Sequence, residues 1–243
     1  MIPRFHCPAL AAAPGSSVTL PDQAAHHAVR VLRLRVGDAV TLFSGNGEEW
    51  QGAIAEAGRD VRVTINASGP GIVEPELEIT LVQSLPSGDK MDWIVQKAVE
   101  LGVSAIQPVT ARRSVVKLDG DRARKRNVHW QEVAISACEQ SGRNVVPTVL
   151  PLLDLNQYFT HARKEEGLRF LLSPEGGRRL RDMEKPAGRI SLLIGPEGGF
   201  EDGEVDAARS VGFTPLQLGP RVLRTETAGL AALAAMMAVW GDL

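Results

Sequence analysis

Cysteine is scarce in this sequence. The 243 residues include two cysteines, Cys7 and Cys138, which are far apart in the chain and lack the spacing of metal ligands. A disulfide framework and a zinc site are therefore not expected, and we predict no metal site. A reducing cytoplasm is the expected compartment.

Long hydrophobic runs are also missing. The most apolar segment, residues 228–240, has 13 residues, whereas a membrane-spanning helix needs about 20. The first eight residues lack the apolar stretch of a secretory signal peptide. We therefore expect no membrane association.

The chain carries little net charge. Its 27 Lys and Arg residues and 29 Asp and Glu residues leave a net charge of −2, so a polyanion must bind to a local patch. A hydrophobic content of 44% and a charged content of 23% are ordinary for a globular protein. A chain of 243 residues fits one large domain or two small ones.

The N-terminal part is predicted to be rich in β-structure. Strands are expected at 18–20, 39–43, 49–56 and 61–66. One helix is expected at 24–34. Two glycines and two prolines within residues 67–75 indicate a linker. We place a first domain at 1–70, a linker at 71–76 and a second domain at 77–243.

Strands and helices are predicted to alternate in the second domain, which is typical of a parallel sheet with crossover helices. The expected strands are at 79–84, 106–109, 169–172, 189–194 and 214–218. The expected helices are at 89–102, 121–141, 202–211 and 225–240. Five apolar residues of the last helix face either the core or a partner, and we favour the core: Leu230, Leu233, Met236, Met237 and Trp240.

Three predicted strands run into loops rich in glycine and proline. The segments are Leu-Leu-Ser-Pro-Glu-Gly-Gly at 171–177, Leu-Leu-Ile-Gly-Pro-Glu-Gly-Gly-Phe at 192–200 and Leu-Gly-Pro-Arg-Val-Leu-Arg-Thr-Glu-Thr-Ala at 218–228. None is the glycine fingerprint of dinucleotide-binding folds or the phosphate loop of nucleoside triphosphatases. Ligands bind at the carboxyl ends of parallel strands, and glycines let a ligand approach the backbone closely. The loops therefore predict one pocket, with ordinary strand-to-helix turns as the open alternative.

The second and third loops together resemble the signature of the RsmE family. Its members are 16S ribosomal RNA uridine-N3 methyltransferases of the SPOUT superfamily. Segments 27–38, 90–102 and 139–143 fall in the family's order, so the resemblance runs nearly end to end. It implies an α/β fold in which a small PUA-like β-barrel domain that binds RNA precedes a trefoil-knotted α/β-knot domain. It also implies S-adenosylmethionine as cofactor, a homodimer, and 16S rRNA in the assembled small subunit as partner.

The resemblance further implies the cofactor-binding residues. They are Leu172, Ser173, Glu175, Gly195, Pro196, Glu197, Gly198, Leu218, Gly219, Leu223, Arg224, Thr225 and Thr227. Uridine N3 carries a proton at neutral pH, so methylation needs a proton acceptor and a donor for the charge that develops on uracil. From their position beside the expected cofactor loop, we predict Arg224 as the donor and Glu226 or Glu197 as the acceptor. The open alternative is a surface ion pair between Arg224 and Glu226.

Two clusters of basic residues are candidates for RNA contact. Residues 112–143 contain eight Lys and Arg against four Asp and Glu, a local balance of +4. A shorter cluster lies near the N-terminus. The predicted RNA-binding residues are His27, Arg30, Arg33, Arg35, Arg112, Arg113 and Arg143. A solvated helix face remains the alternative for the first cluster, and a structural role remains the alternative for the histidines.

The sequence disfavours three other functions. A methyltransferase of the same fold acting on another RNA position is disfavoured by Leu-Arg-Thr-Glu-Thr-Ala at 223–228. A non-catalytic RNA-binding assembly factor has no need of three glycine-rich strand ends. A nicotinamide-dependent enzyme is disfavoured because the glycine fingerprint is missing.

Overall fold

The computed structural model describes residues 2–8, 10–72 and 74–243, which form two compact units. The first unit is the chain up to Glu74 together with Ile135–Val146. The second unit is Pro75–Ala134 with Pro147–Leu243. Residues Ile135–Val146, which the sequence analysis placed in the second domain, therefore pack with the N-terminal residues.

A five-stranded sheet forms the first unit. Its strands are β1 (Arg4–His6), β2 (Ser17–Thr19), β3 (Ala39–Phe43), β4 (Glu48–Ala57) and β5 (Val61–Pro70). Their order in the sheet is β1-β3-β4-β5-β2. β1 pairs with β3 in parallel, and the other neighbours are antiparallel. Shifts of register between β4 and β5 mark bulges, which bend a sheet. The four predicted strands are present, and β1 is an addition.

The helix of the first unit changes character along its length. It begins as α1 (Asp22–His26) and continues as a π-helical segment at His27–Val31, where the amide of Leu32 donates to the carbonyl of His27 at 2.9 Å. Arg33 follows with a φ of 56°, in the left-handed region that ends a helix. The helix is therefore shorter than the predicted one, which extended to residue 34.

The second unit contains an eight-stranded sheet. The strands are β6 (Ile79–Ser84), β7 (Ala105–Thr110), β8 (Thr148–Val149), β9 (Leu153–Asp154), β10 (Leu168–Leu172), β11 (Arg178–Arg179), β12 (Ile190–Ile194) and β13 (Phe213–Gln217). Their order in the sheet is β11-β13-β10-β12-β6-β7-β8, with β9 also paired to β7. The pairings are parallel. The chain crosses over β10 on its way from β12 to β13. The carboxyl ends of these three strands therefore lie side by side at one edge.

Helices connect the strands of the second unit. They are α2 (Lys90–Glu100), α3 (Gly120–Ser141), α4 (Leu155–Ala162), α5 (Asp202–Ser210) and α6 (Thr225–Trp240), and the last turns of α3 belong to the first unit. The four expected helices are present. α4 was not predicted, although Asp154 and Gln157 form a capping box at its start.

The last helix, α6, is packed against the sheet. A Cβ atom at Gly229 would lie 3.2 Å from side-chain atoms of Leu81 and Ile194, so glycine permits this close approach. The core interpretation of the apolar residues is confirmed, because four are buried and one, Leu230, is half-buried. Even this apolar helix is not a membrane span, and no other helix in the described ranges qualifies as one.

Candidate active site

An open cleft of about 920 Å³ lies at the carboxyl ends of β10, β12 and β13. The three glycine-bearing loops form most of its wall. The predicted site residues that line it are Leu172, Ser173, Glu175, Gly195, Pro196, Glu197, Leu218, Gly219, Leu223, Arg224, Thr225 and Glu226. Ligand pockets in proteins have volumes of about 300–1,000 Å³. The structure thus brings together the residues that the sequence pattern pointed to.

A buried hydrogen-bond chain ties the end of β12 to the start of α6. The hydroxyl of Thr225 donates to the carbonyl oxygen of Gly195 at 2.6 Å and accepts from Nε2 of Gln83, on β6, at 3.0 Å. Gln83 and Thr225 are both buried. The three elements that meet at the cleft are therefore held in fixed positions.

The loop after β12 is a tight turn whose glycines have different roles. Gly199 has a φ of 69°, which suits glycine, and its amide donates to the carbonyl of Pro196 at 2.9 Å. Gly198 does not need its conformational freedom, but a Cβ there would lie 3.2 Å from Cβ of Arg113. Arg113 in turn donates from Nη1 to the carbonyl oxygen of Gly198 at 3.1 Å. Gly198 thus lies outside the cleft lining. Its contact with Arg113 supports the loop.

Thr227 also lies outside the cleft lining. It is exposed in the first turn of α6, and its amide donates to the carbonyl oxygen of Arg224 at 2.9 Å. Arg224 precedes the helix as its capping residue, and its own side chain is exposed at the cleft. The roles of Gly198 and Thr227 in cofactor binding stay predictions.

Glu197 is held as an anion by several hydrogen-bond donors. Its Oε1 accepts from the amide of Ser87 at 2.9 Å, from the Ser87 hydroxyl at 2.7 Å and from Nζ of Lys90 at 3.1 Å. Burial opposes ionisation of the carboxyl, but the Ser87 donors, the residue's own amide and Lys90 outweigh it and lower the pKa of Glu197 to about 2. A carboxylate whose pKa is lowered in this way is a poor proton acceptor.

Glu226 is arranged differently. Its Oε1 lies 3.4 Å from Nζ of Lys90, and its Oε2 is buried with no hydrogen-bond partner. The residue is second in α6, where the helix dipole favours a negative charge. Lys90 therefore contacts both carboxylates, and its hydrogen bond to Glu197 is the largest cause that raises the pKa of the Lys90 ammonium.

Lys90 and Ser87 were missed as site residues. A signal was present in the sequence, because Ser84-Leu-Pro-Ser-Gly-Asp-Lys90 follows a predicted strand and opens a helix, like the other loops. The end of β6, next to β12 in the sheet, brings this fourth loop to the same edge.

The part of α5 that faces the cleft adds Asp202, Asp206 and Arg209. Across the described residues, no group of three or more His, Cys, Asp or Glu could hold a metal ion.

The predicted RNA-binding residues of the first unit fall into two classes. Arg30, Arg33 and Arg35 are exposed around the end of the π-helical segment. Arg143 is buried and forms an ion pair with Glu74, with 3.1 Å between Nε and Oε2. The guanidinium of Arg143 is thus engaged inside the unit, and its role in RNA binding stays a prediction.

His27 and Glu139 lie near each other in the first unit. Nδ1 of His27 is 3.9 Å from Oε2 of Glu139, and Oε1 of Glu139 accepts from the amide of His6 at 3.0 Å. Burial raises the pKa of Glu139, although the His6 amide and His27 act in the opposite direction. His27 is half-exposed, so it faces solvent as well as this carboxyl.

In the second unit, Arg112 and Arg113 are exposed and flank the loop after β12. The backbone amide of Arg112 donates to Oε1 of Glu204 at 2.9 Å, and its guanidinium lies 3.4 Å from Glu201. Arg113 supports Gly198, as described above. Both arginines thus contribute to the structure of the loop while their charged groups stay open to solvent.

Comparison with known proteins identifies both parts of the chain. Residues 73–237 match the family described as RNA methyltransferase domain, and residues 20–64 match the family described as RNA methyltransferase PUA domain. Ribosomal RNA small subunit methyltransferase E of Bacillus subtilis is 34% identical over 234 residues, which cover 92% of this chain and 90% of the relative. The protein of the same name from Mycobacterium tuberculosis is 33% identical, covering 90% of this chain and 88% of its own length.

Two solved structures are similar to this chain over its whole length. The crystal structure of a ribosomal RNA small subunit methyltransferase E from Neisseria gonorrhoeae, bound to S-adenosyl methionine, is 42% identical and has a TM-score of 0.91. A Legionella pneumophila structure in complex with the same cofactor is 37% identical and has a TM-score of 0.95. Each covers 100% of both chains.

Proposed function

Because the chain belongs to the RsmE family of ribosomal RNA small subunit methyltransferases, we propose that it methylates N3 of a uridine in 16S rRNA. The family's target is uridine 1498. The chain is thus an S-adenosylmethionine-dependent methyltransferase. The predicted fold class is confirmed: a PUA-like domain precedes a SPOUT domain of the α/β-knot type.

The cleft fits the cofactor that the family uses. Its volume of about 920 Å³ suits a ligand the size of S-adenosylmethionine. Backbone at Gly195 and Gly219 allows a flat base to lie against the chain, and apolar, basic and acidic side chains line the rest of the cleft. When bound, the cofactor supplies an electrophilic methyl group. Leu172, Leu218 and Leu223 would pack against its apolar parts, while Ser173 and Glu175 offer polar groups. Thr225 would act through the Gly195 carbonyl, which its buried hydroxyl holds in place.

The two predicted proton acceptors are not equivalent. Glu197 has three donors on one oxygen and a pKa of about 2, whereas Glu226 has a buried oxygen without a partner. We therefore assign Glu226 as the acceptor of the uridine N3 proton. A positioned base contributes about 10²–10⁴-fold to a rate. This assignment is carried by the position of Glu226 in the cleft lining, together with a carboxylate oxygen that no hydrogen-bond donor occupies.

Arg224 is proposed as the donor to a uracil oxygen. Its side chain is exposed at the cleft and lies two residues before Glu226 in the chain. Loss of the N3 proton leaves negative charge on the uracil oxygens, and a guanidinium donates hydrogen bonds to such oxygens without being deprotonated. Arg224 and Glu226 would thus act on the same base.

Exposed arginines are proposed to hold the RNA. Arg30, Arg33 and Arg35, with His27, form the candidate surface of the first unit, and Arg112 and Arg113 form that of the second. Arginine contacts to phosphate weaken with salt and position the substrate. A base splayed out of its stack would then enter the cleft.

We also propose a homodimer that acts on the assembled small ribosomal subunit in the cytoplasm. Trp93 of α2 and Val239 of α6 are large apolar side chains that are more than half exposed. A second copy of the chain would remove such surface from water. Sedimentation of the purified protein measures the oligomeric state, and a monomer at micromolar concentration contradicts the dimer.

The proposed function is tested in two steps. Calorimetry with S-adenosylmethionine should show binding, and a failure to bind contradicts every methyltransferase assignment. Small subunits from cells lacking the enzyme are then incubated with protein and cofactor, and the modified base is located by primer extension and mass spectrometry. The expected product is N3-methyluridine at the family's position. Methylation elsewhere contradicts the target, and RNA binding without methylation favours an assembly factor.

A further inference from the structure

Lys90 is placed where the two carboxylates of the cleft meet. It is the first residue of α2, directly after the loop that leaves β6. Its Nζ lies 3.1 Å from Oε1 of Glu197 and 3.4 Å from Oε1 of Glu226. The side chain is one-third exposed and lines the cleft. One ammonium group thus contacts a carboxylate on each of two loops.

The two contacts differ in how firmly they are held. Glu197 is fixed from the other side by the amide and hydroxyl of Ser87, so it provides an anchor for the ammonium group. Glu226 has Lys90 as its ion-pair partner and a second oxygen without a hydrogen bond. The fixed carboxylate therefore positions the ammonium group, and the ammonium group positions the other carboxylate.

Other charged groups reach the same cleft from several elements. They are Glu175 in the loop after β10, Asp202, Asp206 and Arg209 on α5, and Arg221 and Arg224 in the loop before α6. Counted together with Lys90, Glu197 and Glu226, they give the cleft five acidic and four basic side chains. Two carboxylates that share one cation repel each other when that cation is removed. Loss of Lys90 should therefore displace Glu226, the less firmly held of the two.

We propose that Lys90 is a positioning residue for methyl transfer, anchored by Glu197 and Ser87, and that it holds the Glu226 carboxylate in the orientation that meets the uracil base. This inference rests on the proposed function. In an RNA-binding role, Lys90 would instead contact the phosphates of the RNA directly and would not act through Glu226.

The test is a double-mutant cycle on the full-length protein with Lys90→Met, Glu226→Gln and the double variant. Single-turnover methylation is measured at saturating cofactor and over a range of small-subunit concentrations. Lys90→Met should lower the maximal rate about 10-fold to 100-fold, part of the usual contribution of a base, with unchanged half-saturation by RNA. The double variant should be no slower than Glu226→Gln alone, because Lys90 acts through Glu226. Lys90→Arg should recover part of the rate.

Lys97→Met is the matched control, because Lys97 lies on the same helix and pairs with Glu100 at 2.8 Å outside the cleft lining. Its maximal rate should equal that of the wild type. Three outcomes overturn the proposal: an unchanged rate for Lys90→Met, losses that multiply in the double variant, or an effect confined to half-saturation by RNA.

A second readout separates this proposal from the proposed function. Urea unfolding of the same variants should show that Lys90→Met and Glu226→Gln together shift the midpoint by less than the two single shifts combined, because the pair is already broken. Additive shifts overturn the contact. If the wild type binds no cofactor and methylates nothing, the proposed function fails, and this unfolding result still decides the pairing of Lys90 with Glu226.

Discussion

The hydroxyl of Thr225 donates a hydrogen bond to the carbonyl oxygen of Gly195 at a distance of 2.6 Å. The two residues are 30 positions apart, at the start of α6 and the end of β12. The same hydroxyl accepts from Gln83, so one buried oxygen links three elements at the cleft.

Thr225→Val should therefore destabilise the protein and weaken the cofactor site. Valine keeps the shape but leaves the Gly195 carbonyl and the Gln83 amide without this partner, which costs about 1–3 kcal/mol of unfolding free energy. Urea unfolding and calorimetry with S-adenosylmethionine measure the two effects. Thr225→Ser keeps the hydroxyl and should lose less in both measurements. A Thr225→Val protein that is as stable as the wild type and binds the cofactor as tightly would contradict the role of this hydrogen bond.

Glu197→Gln should reduce stability in a way that depends on pH. The pKa of Glu197 is lowered to about 2 from an ordinary value of 4.5, so the carboxylate stabilises the folded state above pH 4.5 and loses this effect as the pH falls toward 2. The difference in unfolding free energy between wild type and variant should be constant from pH 7 to 5 and shrink at lower pH. Urea titrations from pH 3 to 7 measure it, with Glu175→Gln as an exposed control. A difference that does not change with pH contradicts the network.

Glu139→Gln should have the opposite pH dependence. Burial raises the pKa of Glu139 above 4.5, so the folded state holds the proton more tightly than the unfolded chain does. Stability of the wild type should therefore fall, relative to the variant, as the pH rises through and above 4.5. Glutamine retains an oxygen that accepts from the His6 amide. Thermal unfolding from pH 4 to 8 measures this effect, and Glu132→Gln, an exposed change on the same helix, should show none.

Arg224→Ala should slow methylation and leave cofactor binding largely intact. A donor aimed at the developing charge contributes about 10²–10³-fold in comparable sites. Single-turnover rates at saturating cofactor measure the loss, and calorimetry measures the affinity. Arg224→Lys keeps the charge without the forked geometry and should be intermediate. Unchanged turnover in the alanine variant removes Arg224 from the mechanism.

Arg143→Ala should act on stability, whereas Arg30→Ala should act on RNA binding. The first change leaves Glu74 without its partner, which costs about 3 kcal/mol when the pair is buried. The second removes an exposed cation and should lower the slope of log affinity against log salt by about 1. Urea unfolding and RNA titrations at several salt concentrations distinguish them. A stable Arg143→Ala protein that binds RNA weakly would show that Arg143 contacts RNA.

The regular part of the fold could be predicted from local patterns. The long strands and four helices of the second unit follow from apolar periodicity and from glycine and proline at their ends, as at Gly195 and Gly219. The short strands β8, β9 and β11, with two residues each, have no such pattern because tertiary pairing alone makes them strands. α4 was missed although its capping signal at Asp154 is local.

The loops that form the site, and the family that their sequence motifs resemble, could be predicted because both depend on residue types at short spacing. How Glu197 and Glu226 differ depends on the tertiary fold, since Ser87 and Lys90 reach them from a strand end more than 100 positions away. The tertiary fold also pairs Arg143 with Glu74 within the first unit. Burial and hydrogen bonding depend on which groups the fold brings together, and spacing along the chain does not encode that.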